Sequence, residues 1–250
     1  MTIPFYVSPE QLTKDRSDFA RAGVARGRAV VVLSAAEGMV LATVNPSRSL
    51  HKIAELYDRI AFAGVGKYNE FEALRRAGVR YADLRGYAYD RVDVDARGLA
   101  GAYAETLGEV FTGHPKPFEV ELALAEVGDV PGADRVFRIG FDGSVQDGEA
   151  LVVIGGHASE VTAGLHAAGV HAAPDSAPPP LATALRAIAN TLVPAPDFAN
   201  DDAAAPGTSR SLAPESGAYS TLECALLDRT ATRRSFRRLT SSQMVELAVE

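Results

Sequence analysis

Four features of the chain have residue types that do chemistry. They are Gly64-Val65-Gly66-Lys67, five histidines, Ser144 in the run DGSVQDG, and whatever residue leads the first apolar strand. A glycine–lysine pair that closes a strand and opens a helix is the skeleton of a phosphate loop, where backbone N–H groups and the lysine cradle a phosphate. That loop requires a glycine five positions before the pair and a Ser or Thr after it, but here those positions hold Ala61 and Tyr68. Gly64 and Gly66 read instead as permitting close sheet–helix packing. His51, His114, His157, His166 and His171 have neither an HExxH nor a CxxC companion, and His166 and His171 are spaced off a common helix face. The expectation is no metal and no cofactor. Ser144 lies between two turn signals with no GxSxG elbow around it, so DGSVQDG reads as a loop.

The strand beginning at Arg28 poses the sharper question. A Thr, Ser or Cys that starts a mature chain carries a free amine able to activate its own side chain as a nucleophile. The run RAVVVLSA is led by Gly27-Arg28-Ala29, with 27 residues ahead of Arg28, and the nearest upstream hydroxyl, Ser17, falls in a helix. The reading is therefore a catalytically silent chain. The competing readings are an active peptidase whose removable propeptide ends before this strand, and a small-molecule-binding α/β domain supported only by the failed glycine–lysine motif.

The elements that position these residues follow from pattern. Residues 1–8, MTIPFYVS, are apolar but broken by Pro4, and read as an extended arm. Ser8-Pro9-Glu10-Gln11 is a helix start with N-cap Ser8, Pro9 at the first helical position and Gln11 completing a capping box. The helix over 9–26 presents Leu12, Phe19, Ala20 and Val24. From Arg28 to Phe71 come two hairpins, the first turning at Glu37-Gly38, with the basic loop NPSRSLHK between them. A helix from about residue 67 into the high eighties uses Phe71, Leu74 and Ala77; another, capped by Asp95, aligns Leu99, Tyr103, Leu107 and Val110.

Three strands, VELALAEV, RVFRIGF and ALVVIGG, precede helices near 158–169 and 178–193. Residues 194–218 are too polar and Pro-rich to pack and read as a flexible loop, not a boundary, because the two strands after it need an existing sheet. A helix from about Thr240 closes the chain. Paired helices alternating with runs of strands predict an α+β fold, a four-layer αββα sandwich with an extra N-terminal helix, in one domain spanning 1–250.

Charge and composition exclude several classes. The net charge of −7 argues against general nucleic-acid binding, and the basic cluster Arg229, Arg233, Arg234, Arg237 and Arg238 reads as a solvated face or subunit contact. No apolar run approaches a membrane span, and no secretory signal pattern is visible. A single cysteine, Cys224, suits a reducing cytoplasm, and its run TLECALLD makes it a small core residue.

Several strings go further. YVSPEQ at the first helix start, NPSRSLHKIAELYDRIAFAGVGKYNEFEALRRAGVRYADLRGYAYDR over 45–91, GHPKPFEVELALAEV, FDGS at 141–144 and RRSFRRLT resemble the α-type subunits of the 20S proteasome in their actinobacterial form. The resemblance spans nearly the whole chain outside 194–218. It implies the N-terminal-nucleophile hydrolase fold, a homo-heptameric ring of α subunits on rings of catalytic β subunits, and a non-catalytic role in scaffolding, pore gating and activator docking. A Tyr-Asp-Arg triplet near the start, found in archaeal and eukaryotic α subunits, is missing here, as it is in the actinobacterial form. The resemblance assigns Lys52, in SLHKI, to a pocket that captures the C-terminal tails of a hexameric ATPase activator. It makes Thr2, Ile3, Pro4, Phe5, Tyr6, Val7, Ser8 and Pro9 the gate.

Overall fold

Two β-branched runs around Glu37-Gly38 make the first hairpin, β1 (Val30–Ala35) and β2 (Gly38–Val44). The structure, a computed structural model, describes residues 8–47, 49–148, 150–170, 177–193 and 219–249. A second hairpin follows, β3 (Ile53–Tyr57) and β4 (Ile60–Gly66), but it joins a different sheet. The remaining strands are β5 (Val120–Glu126), β6 (Arg135–Ile139), β7 (Val145–Gly148), β8 (Leu151–Ile154), β9 (Leu222–Asp228) and β10 (Phe236–Leu239). They build two five-stranded antiparallel sheets, ordered β10-β9-β2-β1-β8 and β3-β4-β5-β6-β7. The helices are α1 (Pro9–Ala25), α2 (Tyr68–Ala88), α3 (Ala96–Gly113), α4 (Ala158–Ala167), α5 (Leu181–Leu192) and α6 (Ser241–Val249).

The apolar runs of β1 and β2 are continuous because both faces are covered. Val30, Val32, Met39 and Leu41 meet Ala61, Ala63, Ala123 and Ala125 of the other sheet, and the alanines let the two sheets approach closely. The alternate residues Val31, Leu33, Val40 and Ala42 face the outer helices through Leu185, Ile188 and Met244. On the far side Phe62, Leu122 and Leu124 pack against Phe71, Leu74, Leu99, Tyr103 and Leu107 of α2 and α3. This is the expected αββα sandwich, with α1 added at one end.

Several local expectations change in the structure. VQDG, read as loop, is the edge strand β7, which pairs with β6 alone and so needs no apolar alternation. The two late helices are shorter than expected, and the three prolines precede α5 instead of opening it. Ala77 is exposed, and the core position on α2 is Gly78, where any Cβ would collide with the Tyr103 hydroxyl. That hydroxyl donates to the Leu74 carbonyl at 3.1 Å, which pins α3 against α2. On α1 only Ala20, Gly23 and Val24 are buried; Leu12 and Phe19 are exposed because only the C-terminal part of the helix is seated. Ser8 caps it by accepting from the Gln11 N–H at 3.2 Å, but the Gln11 side chain turns forward to Asp15, so the box is half made.

Gly64 does admit α2, since a Cβ there would meet the Phe71 ring at 2.8 Å. Gly66 has a different role. Its φ of 106° is open to glycine, and its missing Cβ leaves room for the Glu119 carbonyl at the start of β5. Arg229 is not a solvated cation. It is buried with Asp134, donating to both carboxylate oxygens at 2.6 and 2.9 Å. Its partner lies 95 residues away in sequence, while the adjacent Asp228 pairs with Arg237 instead.

Candidate functional site

Lys52 lies at the end of the loop that carries the chain from β2 in one sheet to β3 in the other. The loop is shaped by its own polar residues. Asn45 Oδ1 accepts from the Ser47 N–H at 3.0 Å, Ser47 Oγ accepts from the Leu50 N–H at 3.0 Å, and Asn45 Nδ2 donates to the Leu50 carbonyl at 2.7 Å. These local turns fix the backbone that presents Lys52. The Lys52 carbonyl then accepts from the Gly64 N–H at 3.0 Å, extending the β3–β4 pairing by one rung.

One buried carboxylate organises the whole loop. Glu223, on β9, is 5% exposed. Its Oε2 accepts from Asn45 Nδ2 at 2.6 Å and from the Lys52 N–H at 3.0 Å. Its Oε1 accepts from the Ile53 N–H at 3.1 Å and from Arg238 Nη1 at 2.8 Å. Arg238 reaches on to the Ile53 carbonyl at 2.8 Å. His51 Nδ1 sits 3.4 Å from the same carboxylate without hydrogen bonding to it. Burial pushes the Glu223 carboxyl up, but the four hydrogen bonds outweigh it and hold the group below the usual carboxylate range.

The Lys52 ammonium points the other way, toward the segment leading into β1. Its Nζ donates to the Arg28 carbonyl at 2.9 Å. Its pKa is lowered to about 8, first by burial and then by the Arg28 charge, against a weaker opposing pull from Glu223. A half-buried, partly desolvated ammonium binds an anion more strongly than a solvated one does.

The same segment leads into β1. Gly27 follows α1 without a break: its N–H donates to the Val24 carbonyl and its carbonyl accepts from the Gly156 N–H, both at 2.8 Å. Arg28 pairs with Gly156 in an isolated parallel bridge. Helix α1 is tied down by Arg26 to Glu119 at 2.9 Å and by Arg16 to the Phe111 and Thr112 carbonyls. The residues at the head of the strand, Gly27, Arg28 and Ala29, carry no hydroxyl or thiol.

The other sequence candidates disperse. Lys67 is the backbone N-cap of α2, with its ammonium 3.9 Å from Glu70. Ser144 Oγ donates to Asp142 at 2.6 Å within its own turn. Among the described residues no cluster of His, Cys, Asp and Glu fits a metal ion. Cys224 is buried, and burial pushes its thiol up to about 12, which removes it as a nucleophile. Of the residues expected to form a gate, Thr2 to Val7 lie outside the described residues, as does all of 194–218. Ser8 and Pro9 stand at the far end of α1 from Lys52, a helix of 17 residues that spans about 25 Å. Sequence reading missed Glu223, Asn45 and Arg238. The available signal was a glutamate inside the apolar run TLECALLD, because a carboxylate in a buried strand requires partners.

Residues 24–177 match the family model described as "Proteasome subunit". The chain belongs to the proteasome family. A protein of Xylanimonas cellulosilytica named "Proteasome subunit alpha" is 55% identical over 244 residues, covering 96% of this chain and 93% of its own length. Another of that name from Kineococcus radiotolerans is 54% identical, over 99% of this chain and 98% of its own. One from Arthrobacter sp. reaches 65% identity over 161 residues, 64% of this chain and 68% of its own. The resemblance to actinobacterial α-type subunits holds across nearly the full length.

The Glu223 clamp should carry a recognisable pH signature. A carboxyl whose folded pKa is depressed contributes stability that is present above the unfolded value of about 4.3 and is lost as pH falls through the lower folded value. Glu223→Gln should therefore be less stable than the native chain at neutral pH by about 1–3 kcal/mol. The deficit should shrink below about pH 4, where the native carboxylate is itself being protonated. Urea unfolding of both proteins at neutral and acid pH measures this, and a pH-independent deficit would show that the carboxylate's charge is not what holds the loop.

Proposed function

We propose that the chain is a non-catalytic α-ring subunit of a cytoplasmic 20S proteasome core, one domain over residues 1–250. Copies form a homo-heptameric ring that scaffolds rings of β subunits, gates the axial pore and docks a hexameric ATPase for degradation of tagged proteins. The observation that carries the reading is the identity of the residues leading into β1, Gly27-Arg28-Ala29, which offer no hydroxyl or thiol nucleophile, in a chain of proteasome-family sequence. The purified chain should hydrolyse no peptide and should gain activity only as part of a complex with its β subunit; hydrolysis that tracks the intact α chain by mass would overturn the reading.

Residues 1–8 are the gate in this proposal. Ile3, Phe5, Tyr6 and Val7 are apolar side chains that copies converging on a ring axis can bury against one another, and the Ser8-Pro9 cap gives the arm a fixed point of departure. Deleting residues 2–8 leaves Pro9 and the seated end of α1 intact. The complex should still assemble, and its turnover of small peptides should rise, since only passage through the pore has changed. Equal turnover with and without the arm would remove the gate from these residues.

Lys52 is the docking residue in this reading, its ammonium meeting the C-terminal carboxylate of an activator tail. Its half-buried position and its fixed backbone support that role. Lys52→Ala should leave rings intact by native mass spectrometry, because Glu223 holds the loop through main-chain groups. Each pocket should lose about 1.5–3 kcal/mol, multiplied by avidity across the ring, so that ATPase-dependent protein degradation collapses. Because a protonated amine is required, docking should weaken as pH rises through about 8. Undiminished degradation by the variant would return Lys52 to an ordinary loop cation.

A further inference from the structure

The charges around Lys52 do not balance. Glu223 is the nearby acid, but its lone pairs are already committed to Asn45, Arg238 and the Lys52 and Ile53 amides. The neighbouring cations are compensated: Arg26 pairs with Glu119, Lys67 approaches Glu70, and Arg238 pairs with Glu223. Arg28 is different. It is exposed, it forms no ion pair among the described residues, and its positive charge acts directly on the Lys52 ammonium. The Lys52 ammonium lies 2.9 Å from the main-chain carbonyl of the residue that carries this second cation, and an arriving anion would relieve the repulsion between the two charges.

The backbone keeps them there. The Arg28 carbonyl takes the Lys52 Nζ hydrogen bond, and its main chain bridges to Gly156 while the Gly27 carbonyl is bonded as well. Lys52 in turn is fixed through its N–H and its carbonyl. Both side chains therefore leave rigid strand-end backbone next to each other, and only the Arg28 side chain has to settle when a ligand arrives. Such preorganisation lowers the ordering cost of binding.

We propose that Arg28 is the second cation of the docking site, and that Arg28 and Lys52 together take one peptide C-terminal carboxylate. The guanidinium offers its two-nitrogen fork to the two carboxylate oxygens, and the ammonium acts as a point charge from the side. This rests on the reading of Lys52 as the docking residue and adds what makes the pocket select a free carboxylate. An amide-capped tail presents no negative charge to the pair and leaves the repulsion in place.

The test uses the assembled α/β complex and a synthetic peptide of the ATPase's C-terminal tail, made once with a free carboxylate and once amidated, with binding read by fluorescence anisotropy. The native complex should prefer the carboxylate form. Arg28→Ala should cut that preference roughly tenfold, the share of one charge-assisted hydrogen bond, while leaving binding of the amidated peptide unchanged. Arg28→Lys, which keeps the charge and loses the fork, should fall between. The Lys52 amine, followed by NMR, should titrate higher in Arg28→Ala than in the native complex, because its like-charged neighbour is gone. Neither structural contact of Arg28 uses its side chain, so assembly should persist; Arg28→Gln serves if the alanine variant does not assemble. Full carboxylate preference in the Arg28 variants, with Lys52→Ala abolishing it, would overturn the proposal and leave the docking reading standing. Full preference in Lys52→Ala as well would overturn the docking reading itself.

Discussion

A single buried carboxylate decides how the two halves of this molecule meet. Glu223 sits near the start of β9 in one sheet and receives hydrogen bonds from Asn45, at the exit of β2, and from Ile53, at the entrance to β3 in the other sheet. An ionised carboxylate with 5% exposure survives only when nearly every lone pair is occupied, and here four donors occupy them. Two of the donors are main-chain amides and two are the side chains of Asn45 and Arg238, so half of the geometry is set by backbone that the sheets already hold. Removing the carboxylate would orphan those donors, which is why the interaction matters more than its net contribution suggests. Lys52 owes its position to this clamp.

A second clamp stands at the other end of the same strand. Just beyond β9, Arg229 grips Asp134 and also donates to the carbonyls of Ala35, Ala36 and Gly128, while Ser34 donates to Asp134. It joins the tip of the first hairpin to the β5–β6 connection of the opposite sheet. Buried ion pairs of this kind contribute modestly when complete and are costly to break, so their value lies in register as much as in stability. Between the two clamps the sheets meet largely through apolar side chains, many of them alanine and valine, with further polar ties from Arg234 to Glu55 and from the Gly155 N–H to Glu121. Such a smooth layer tolerates sliding, and polar ties at both ends remove that freedom.

The entry to the first strand and the setting of Lys52 share one piece of backbone. Helix α1 runs through Gly27 into β1 and is anchored by Arg26 and Arg16. The Arg28 carbonyl in that connection is what the Lys52 ammonium binds.

Much of this was legible in the residues themselves. The Glu37-Gly38 turn between β-branched runs, the Ser8-Pro9 and Asp95 caps, and the periodicity of Leu99, Tyr103, Leu107 and Val110 are local signals, so the elements they specify appear where expected. The absence of a hydroxyl or thiol at Gly27-Arg28-Ala29 was equally plain, because it depends on residue identity alone. Lys52 stood out through the resemblance of SLHKI and its flanks, not through any local physical pattern.

What sequence could not provide were relations between distant residues. Nothing near Arg229 announced Asp134, nothing near Lys52 announced Glu223, and VQDG lacks the alternation that marks a strand because an edge position asks for none. Ala77 and Gly78 differ by one position on α2, and only the Tyr103 hydroxyl arriving from α3 determines which must be glycine. Periodicity and capping act within one element and so can be read along the chain. Burial, charge compensation and the choice of sheet for each hairpin are settled only when separate elements pack, because the groups that compete for each hydrogen bond are far apart in sequence.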